Sequence, residues 1–161
     1  MGRGFRISAL DPSLFERLRG LRDEALAAQW GPGARRVSVD EHPGFPCRVS
    51  LADAAVGERV LLLPFIHHDV HTAYRAGGPI YVREGARRAE PGLNEVPESV
   101  RRRLLSLRAY DREGMLVSAA VTDGRDFEAA VGCLFAVPGS AYIHVHNAKP
   151  GCYNCRVDRA G

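Results

Sequence analysis

Near its C-terminus the chain gathers two histidines and two cysteines in one short stretch, His144 and His146 followed by Cys152 and Cys155. Imidazole nitrogens and thiolates are the common ligands of zinc, and His-x-His with Cys-x-x-Cys nominally supplies four of them. A thiol beside a histidine can also act as a nucleophile, because the imidazole lowers the thiol pKa and takes its proton. Whether the four side chains can share one site depends on the element that carries them.

Ala141 to His146 alternates apolar and polar residues, the pattern of a half-buried strand, and Cys152 to Val157 reads as its partner. The segment Asn147-Ala148-Lys149-Pro150-Gly151 joins them as a hairpin. Side chains alternate across a strand, so Ala141, Ile143 and Val145 take the core face and Tyr142, His144 and His146 the other. Symmetric closure sets His146 opposite Cys152, His144 opposite Asn154, and Tyr142 opposite Arg156. It sends Cys155 to the apolar face. The expected site is therefore His144, His146 and Cys152, walled by Tyr142, Asn154 and Arg156.

Two chemistries suit that set. One is zinc or another divalent metal on His144, His146 and Cys152, with a position left for water and a distant ligand from His67, His68, His71 or Cys47. The other is a Cys152 nucleophile with His146 as base and His144 or Tyr142 orienting the pair. Either makes the protein a small-molecule enzyme. The alternative is a binding module without chemistry, in which Arg48, Arg75, Arg83 and Arg156 anchor an anionic small molecule. His67 and His68 are adjacent at a strand end, so they should point to opposite sides and at most one should join any site. The zinc-deaminase pattern is excluded: it needs His-x-Glu, and here the third position is His146. Neither glycine-rich phosphate loop occurs.

The elements that must position these residues form an α+β fold, a largely antiparallel sheet with about three helices packed on it. Strands are expected at Phe5–Leu10, Arg59–Phe65 and Pro79–Arg83, with Pro64 marking a bulge or an edge. Asp11-Pro12 opens an amphipathic helix over residues 12–29, and Trp30-Gly31-Pro32-Gly33 stops it. Residues 31–58 are an irregular excursion with short β-like pieces. Pro97 opens a second helix along which Val100, Leu104 and Leu107 share a face and the Arg101–Arg103 triplet points to solvent. Arg108–Tyr110 and Met115–Val121 make a hairpin. A third helix buries Phe127, Ala130, Val131 and Leu134 and carries Cys133 as a packed thiol.

A chain of 161 residues, 45% hydrophobic and 25% charged, suits a single domain spanning residues 1–161 with its own core. No apolar run reaches membrane-spanning length, and the N-terminal segment lacks the apolar region of a secretory signal. A cytoplasmic protein with reduced cysteines is expected. The formal charge is +3, and Lys149 is the only lysine among 22 basic residues. That ratio reflects GC-rich coding and a bacterial origin rather than nucleic-acid binding, because acidic residues are interspersed and no basic stripe forms. No feature specifies an oligomeric state.

Several segments together resemble bacterial domain-of-unknown-function family 1203. They are Pro46-Cys47-Arg48-Val49-Ser50-Leu51, Gly57-Glu58-Arg59-Val60-Leu61-Leu62 and Tyr81-Val82-Arg83-Glu84. Val96-Pro97-Glu98 to Tyr110-Asp111, and Tyr142-Ile143-His144-Val145-His146 to Gly151-Cys152-Tyr153, complete the set. The resemblance covers nearly the whole chain and brings no activity with it. It favours Cys152 with the histidines over any site needing Cys155, where the family pattern has small residues, and it adds Cys47 as a secondary candidate.

Overall fold

The structure, a computed structural model, describes residues 4–161, so the first part of the N-terminal segment read for a signal, Met1 to Arg3, lies outside it. Among the described residues, eight strands fall in two antiparallel sheets. The larger has the order β1-β8-β7-β5-β6, from Phe5–Ser8 (β1), Tyr153–Arg159 (β8), Tyr142–Asn147 (β7), Leu104–Tyr110 (β5) and Leu116–Asp123 (β6). The smaller has the order β2-β3-β4, from Arg35–Ser38 (β2), Arg59–His68 (β3) and Ala76–Val82 (β4). The architecture is α+β, as the mixture of hairpins and isolated helices implies. No helix among the described residues is long and apolar enough to cross a membrane.

Each sheet covers one face with helices. Helix α3, Phe127–Ala136, lays Phe127, Val131 and Leu134 on Leu105, Leu107, Ile143, Val145 and Val157 of the larger sheet. Its Cys133 faces solvent, against the expectation of a packed thiol. On the smaller sheet, Phe15, Leu18 and Leu26 pack against Leu61, Leu63, Ile80 and Val82. Burial of this kind contributes about 1.5–3 kcal/mol for each large aliphatic or aromatic side chain.

The expected helix over residues 12–29 is two elements, a 3-10 helix at Pro12–Leu18 and α1 at Asp23–Trp30. Asp11 caps the first, its carboxylate accepting from the Ser13 N–H. The break comes at Arg19, whose backbone is extended and whose N–H closes the 3-10 turn on the Glu16 carbonyl. Pro64 sits where the sequence allows it. Strand β2 pairs only with Arg59–Leu62, so β3 is an edge on that side by the time it reaches Pro64.

The second correction concerns residues 97–107. Helix α2 spans only Glu98–Arg101, and Leu104 to Leu107 belong to β5. The apolar positions are compatible with both periods, and Leu105, Leu107 and Ala109 alternate into the core. The arginine triplet is correspondingly less solvated than a helix face: Arg103 forms a buried ion pair with Asp53, whose side chain is 2% exposed, and Arg101 pairs with Glu128. Strand β6 and the turn that follows pass hard against α2. A Cβ at Gly124 would run into the Val100 and Arg101 carbonyl oxygens. Backbone, unlike a flexible side chain, cannot yield cheaply, so Gly124→Ala should destabilise the protein by about 1–3 kcal/mol. A lowered urea midpoint with an unchanged slope is the expected result, and an unchanged midpoint would contradict this packing.

Candidate functional site

Strand β7 is buried at all six positions, because α3 covers one face and the end of β3 covers the other. Its parity is the expected one. Ile143 and Val145 enter the core, while Tyr142, His144 and His146 share the opposite face with Arg108 and Tyr110 of β5. The hairpin register differs from symmetric closure. His144 pairs with Arg156, Tyr142 with Asp158 and His146 with Tyr153. The cause is a bulge: one step on β7, from Val145 to His146, matches two on β8, from Cys155 to Tyr153, leaving Asn154 as the extra residue. The turn is also tighter than a five-residue loop, with the Asn147 N–H donating to the Cys152 carbonyl at 2.9 Å and Gly151 in the left-handed region at φ 79°.

A second bulge decides the composition of the site. The β3–β4 register shifts between Ile66 and His68. The extra residue, His67, breaks the alternation that would otherwise put His67 and His68 on opposite sides. Both rings therefore reach the β7 face. His67 stacks on Tyr153 with centroids 5.2 Å apart and lies 5.0 Å from the His146 ring. His68 lies 4.0 Å from the Tyr110 ring and 5.0 Å from the His144 ring. The expectation that at most one of them joins the site is corrected by that irregularity.

His67, His144 and His146 each bring one ring nitrogen to within 4.8 Å of the others. Cys152 is not in this cluster. The Asn147 side-chain amide donates to its Sγ at 3.5 Å, and the Asn154 amide donates to Asn147 Oδ1 at 2.9 Å. Cys152 thus belongs to an asparagine chain at the mouth of the hairpin, separate from the histidine face where symmetric closure put it. Cys155 is in the apolar core, where burial pushes its thiol up to about 12. Cys47 is buried, with its sulfur accepting from the Ser50 and Arg83 N–H groups, a structural role. His71 is exposed.

The electrostatics of the cluster follow from burial. His144 is driven down to about 2 by desolvation, with His68, His67 and His146 acting in the same direction. His67 and His146 are brought down to about 4, chiefly by desolvation, with Arg108 acting in the same direction. All three rings are consequently neutral at physiological pH, the form in which imidazole binds a metal. The His146 Nδ1–H donates to the Gly151 carbonyl at 3.0 Å, which leaves Nε2 as an acceptor, and Arg108 Nη1 donates to it at 3.5 Å. The Nδ1 atoms of His67 and His144 are buried without a hydrogen-bond partner.

Around the cluster several polar groups satisfy one another. His68 Nδ1 donates to the Tyr74 carbonyl at 2.8 Å, so in the neutral ring Nε2 accepts from the Tyr142 hydroxyl at 2.6 Å. Tyr142 stacks on Tyr110, and Arg156 lies 4.1 Å over its ring while pairing with Asp158. Of the expected anion anchors, Arg75 pairs with Asp69 and Arg83 with Glu58. Arg108 and Tyr110 were not among the expected site residues. Their alternation in a strand was visible, but their strand's pairing with β7 was not. Tyr142→Phe leaves His68 Nε2 buried without a donor and should cost about 1–3 kcal/mol. Loss of that amount in denaturant unfolding checks the bond; an equally stable variant would refute it.

No curated protein and no solved structure matches the chain. A family model described as Protein of unknown function (DUF1203) matches residues 44–159, a span holding β3 to β8 and with them every residue of the histidine cluster. The match takes in most of the chain, and the protein belongs to the DUF1203 family.

Proposed function

We propose that the protein is a small-molecule enzyme whose centre is a divalent metal ion, zinc in the first instance, held by His67, His144 and His146. The observation that carries this reading is the convergence of three ring nitrogens within 4.8 Å in a buried setting. Three imidazoles with an open fourth position are the donor set of a catalytic zinc site. Neutral rings need no deprotonation before binding, and the His146 Nδ1–H on a backbone carbonyl is the outer contact that orients a ligating imidazole. A cation that takes up an unpartnered ring nitrogen of His67 or His144 offsets its desolvation, about 1–3 kcal/mol for each unpaired group.

A metal ion there polarises a bound carbonyl or water as a Lewis acid. The donors carry no negative charge, and Arg108 adds a positive one. A dication in such surroundings needs an anion beside it, so the substrate class is a small anionic molecule whose charge Arg108 also meets. Access is past His67, the partly exposed member of the three. The reading assigns the protein to a bacterial cytoplasm, and its four free cysteines support a reducing compartment.

Elemental analysis of tag-free protein tests the centre. Wild type should carry about one equivalent of a divalent metal, lost in His67→Ala and His144→Ala and retained in Cys152→Ser. Wild-type protein that stays metal-free after dialysis against zinc, or metal that leaves with Cys152 and not with His67, would end this reading.

A further inference from the structure

Arg48 is the largest fully buried side chain among the described residues, at 1% exposure. Its Nε donates to the Tyr153 carbonyl at 2.7 Å and its Nη1 to the Pro46 carbonyl. Both partners are neutral. The Cys152 side chain also bonds it, and the thiol of Cys47 and the guanidinium of Arg103 act on it from nearby; no carboxylate bonds or pairs with it. Arg103 is itself committed to Asp53. A guanidinium taken out of water without a counter-charge is costly, and such a group is retained where something else supplies the charge.

Arg48 borders a cleft of about 710 Å³, the size of a small-metabolite pocket. Lys149, Asn147 and Cys152 also reach it, and Leu62, Tyr81 and Leu104 give it an apolar wall. Glu41 is the one acid that lines it, against four basic residues. Part of the segment 31–58, from Glu41 to Arg48, forms a rim of this cleft, so the irregular excursion covers Cys152 and leaves the histidine cluster to β3.

We propose that this cleft binds a small organic acid, its carboxylate paired with Arg48 and its hydrocarbon body against Leu62, Tyr81 and Leu104. One buried positive charge is matched by one negative charge, which favours a carboxylate over a doubly charged phosphate. An arginine fork and a carboxylate are complementary in shape as well as charge. The binding site is separate from the histidine cluster and does not require a metal there.

Cys152 lines the cleft and is partly exposed, so its alkylation reports occupancy. In chelator-treated Cys133→Ser protein, which removes the exposed thiol, hexanoate should slow iodoacetamide modification of Cys152 with a saturable dose dependence. Hexanol and inorganic phosphate should not. Arg48→Met should weaken the hexanoate effect on the order of tenfold to a hundredfold. Equal protection by hexanol, protection by phosphate alone, or no protection by hexanoate at any concentration the fold tolerates would each overturn the proposal. The acid–alcohol comparison is made on one protein, so it decides the matter even where Arg48→Met fails to fold.

Discussion

The site depends on the burial of β7 on both faces. A strand covered on one side only could leave His144 and His146 in water, where they would be ordinary surface imidazoles. Here α3 closes one face and the His67-His68 end of β3 closes the other. Desolvation then acts on every polar group of the second face at once. It holds His67, His144 and His146 neutral, raises the pKa of the Tyr110 and Tyr142 hydroxyls and makes each hydrogen bond count. His68 and Tyr142 satisfy one another, whereas His67 and His144 each keep a buried Nδ1 without a partner. That contrast within one cluster separates the groups that hold the fold from those free to hold something else.

Two bulges set the geometry. The one at His67 turns an alternating strand end into a pair of rings on the same side. The one at Asn154 shifts β8 so that Tyr153 faces His146 and offers its ring to His67. Each inserts a residue that local pairing does not need, and each re-aims side chains toward the shared face. Without either, His67 and Tyr153 would not stack and the three nitrogens would not converge.

The segment Gly151-Cys152-Tyr153 serves two places. Its Gly151 carbonyl receives His146, its Tyr153 carbonyl receives Arg48, and its Cys152 side chain lines the cleft. Backbone carbonyls and side chains leave a strand in different directions, so one short segment can be a wall between a histidine face and an arginine cleft. The two compartments are neighbours through covalent connectivity even though their polar groups differ.

Much of this was legible from local pattern. The alternation in Tyr142 to His146 assigned the histidines to one face, and the same logic sent Cys155 to the core, because side-chain parity is a property of the strand alone. The α+β class, the Asp11 cap and the edge character at Pro64 are likewise local. Long-range pairing was not legible. Leu104 and Leu107 fit a helix face as well as a strand, and only the pairing of β5 with β7 decides between them. The bulges at His67 and Asn154 leave no mark in residue type, since any residue can be the extra one. By itself, then, the sequence determined which face of their strand His144, His146 and Cys155 occupy. The tertiary structure alone decided that His67 completes the cluster and that Cys152 joins Arg48 instead, because packing, not periodicity, fixes register and brings distant strands together.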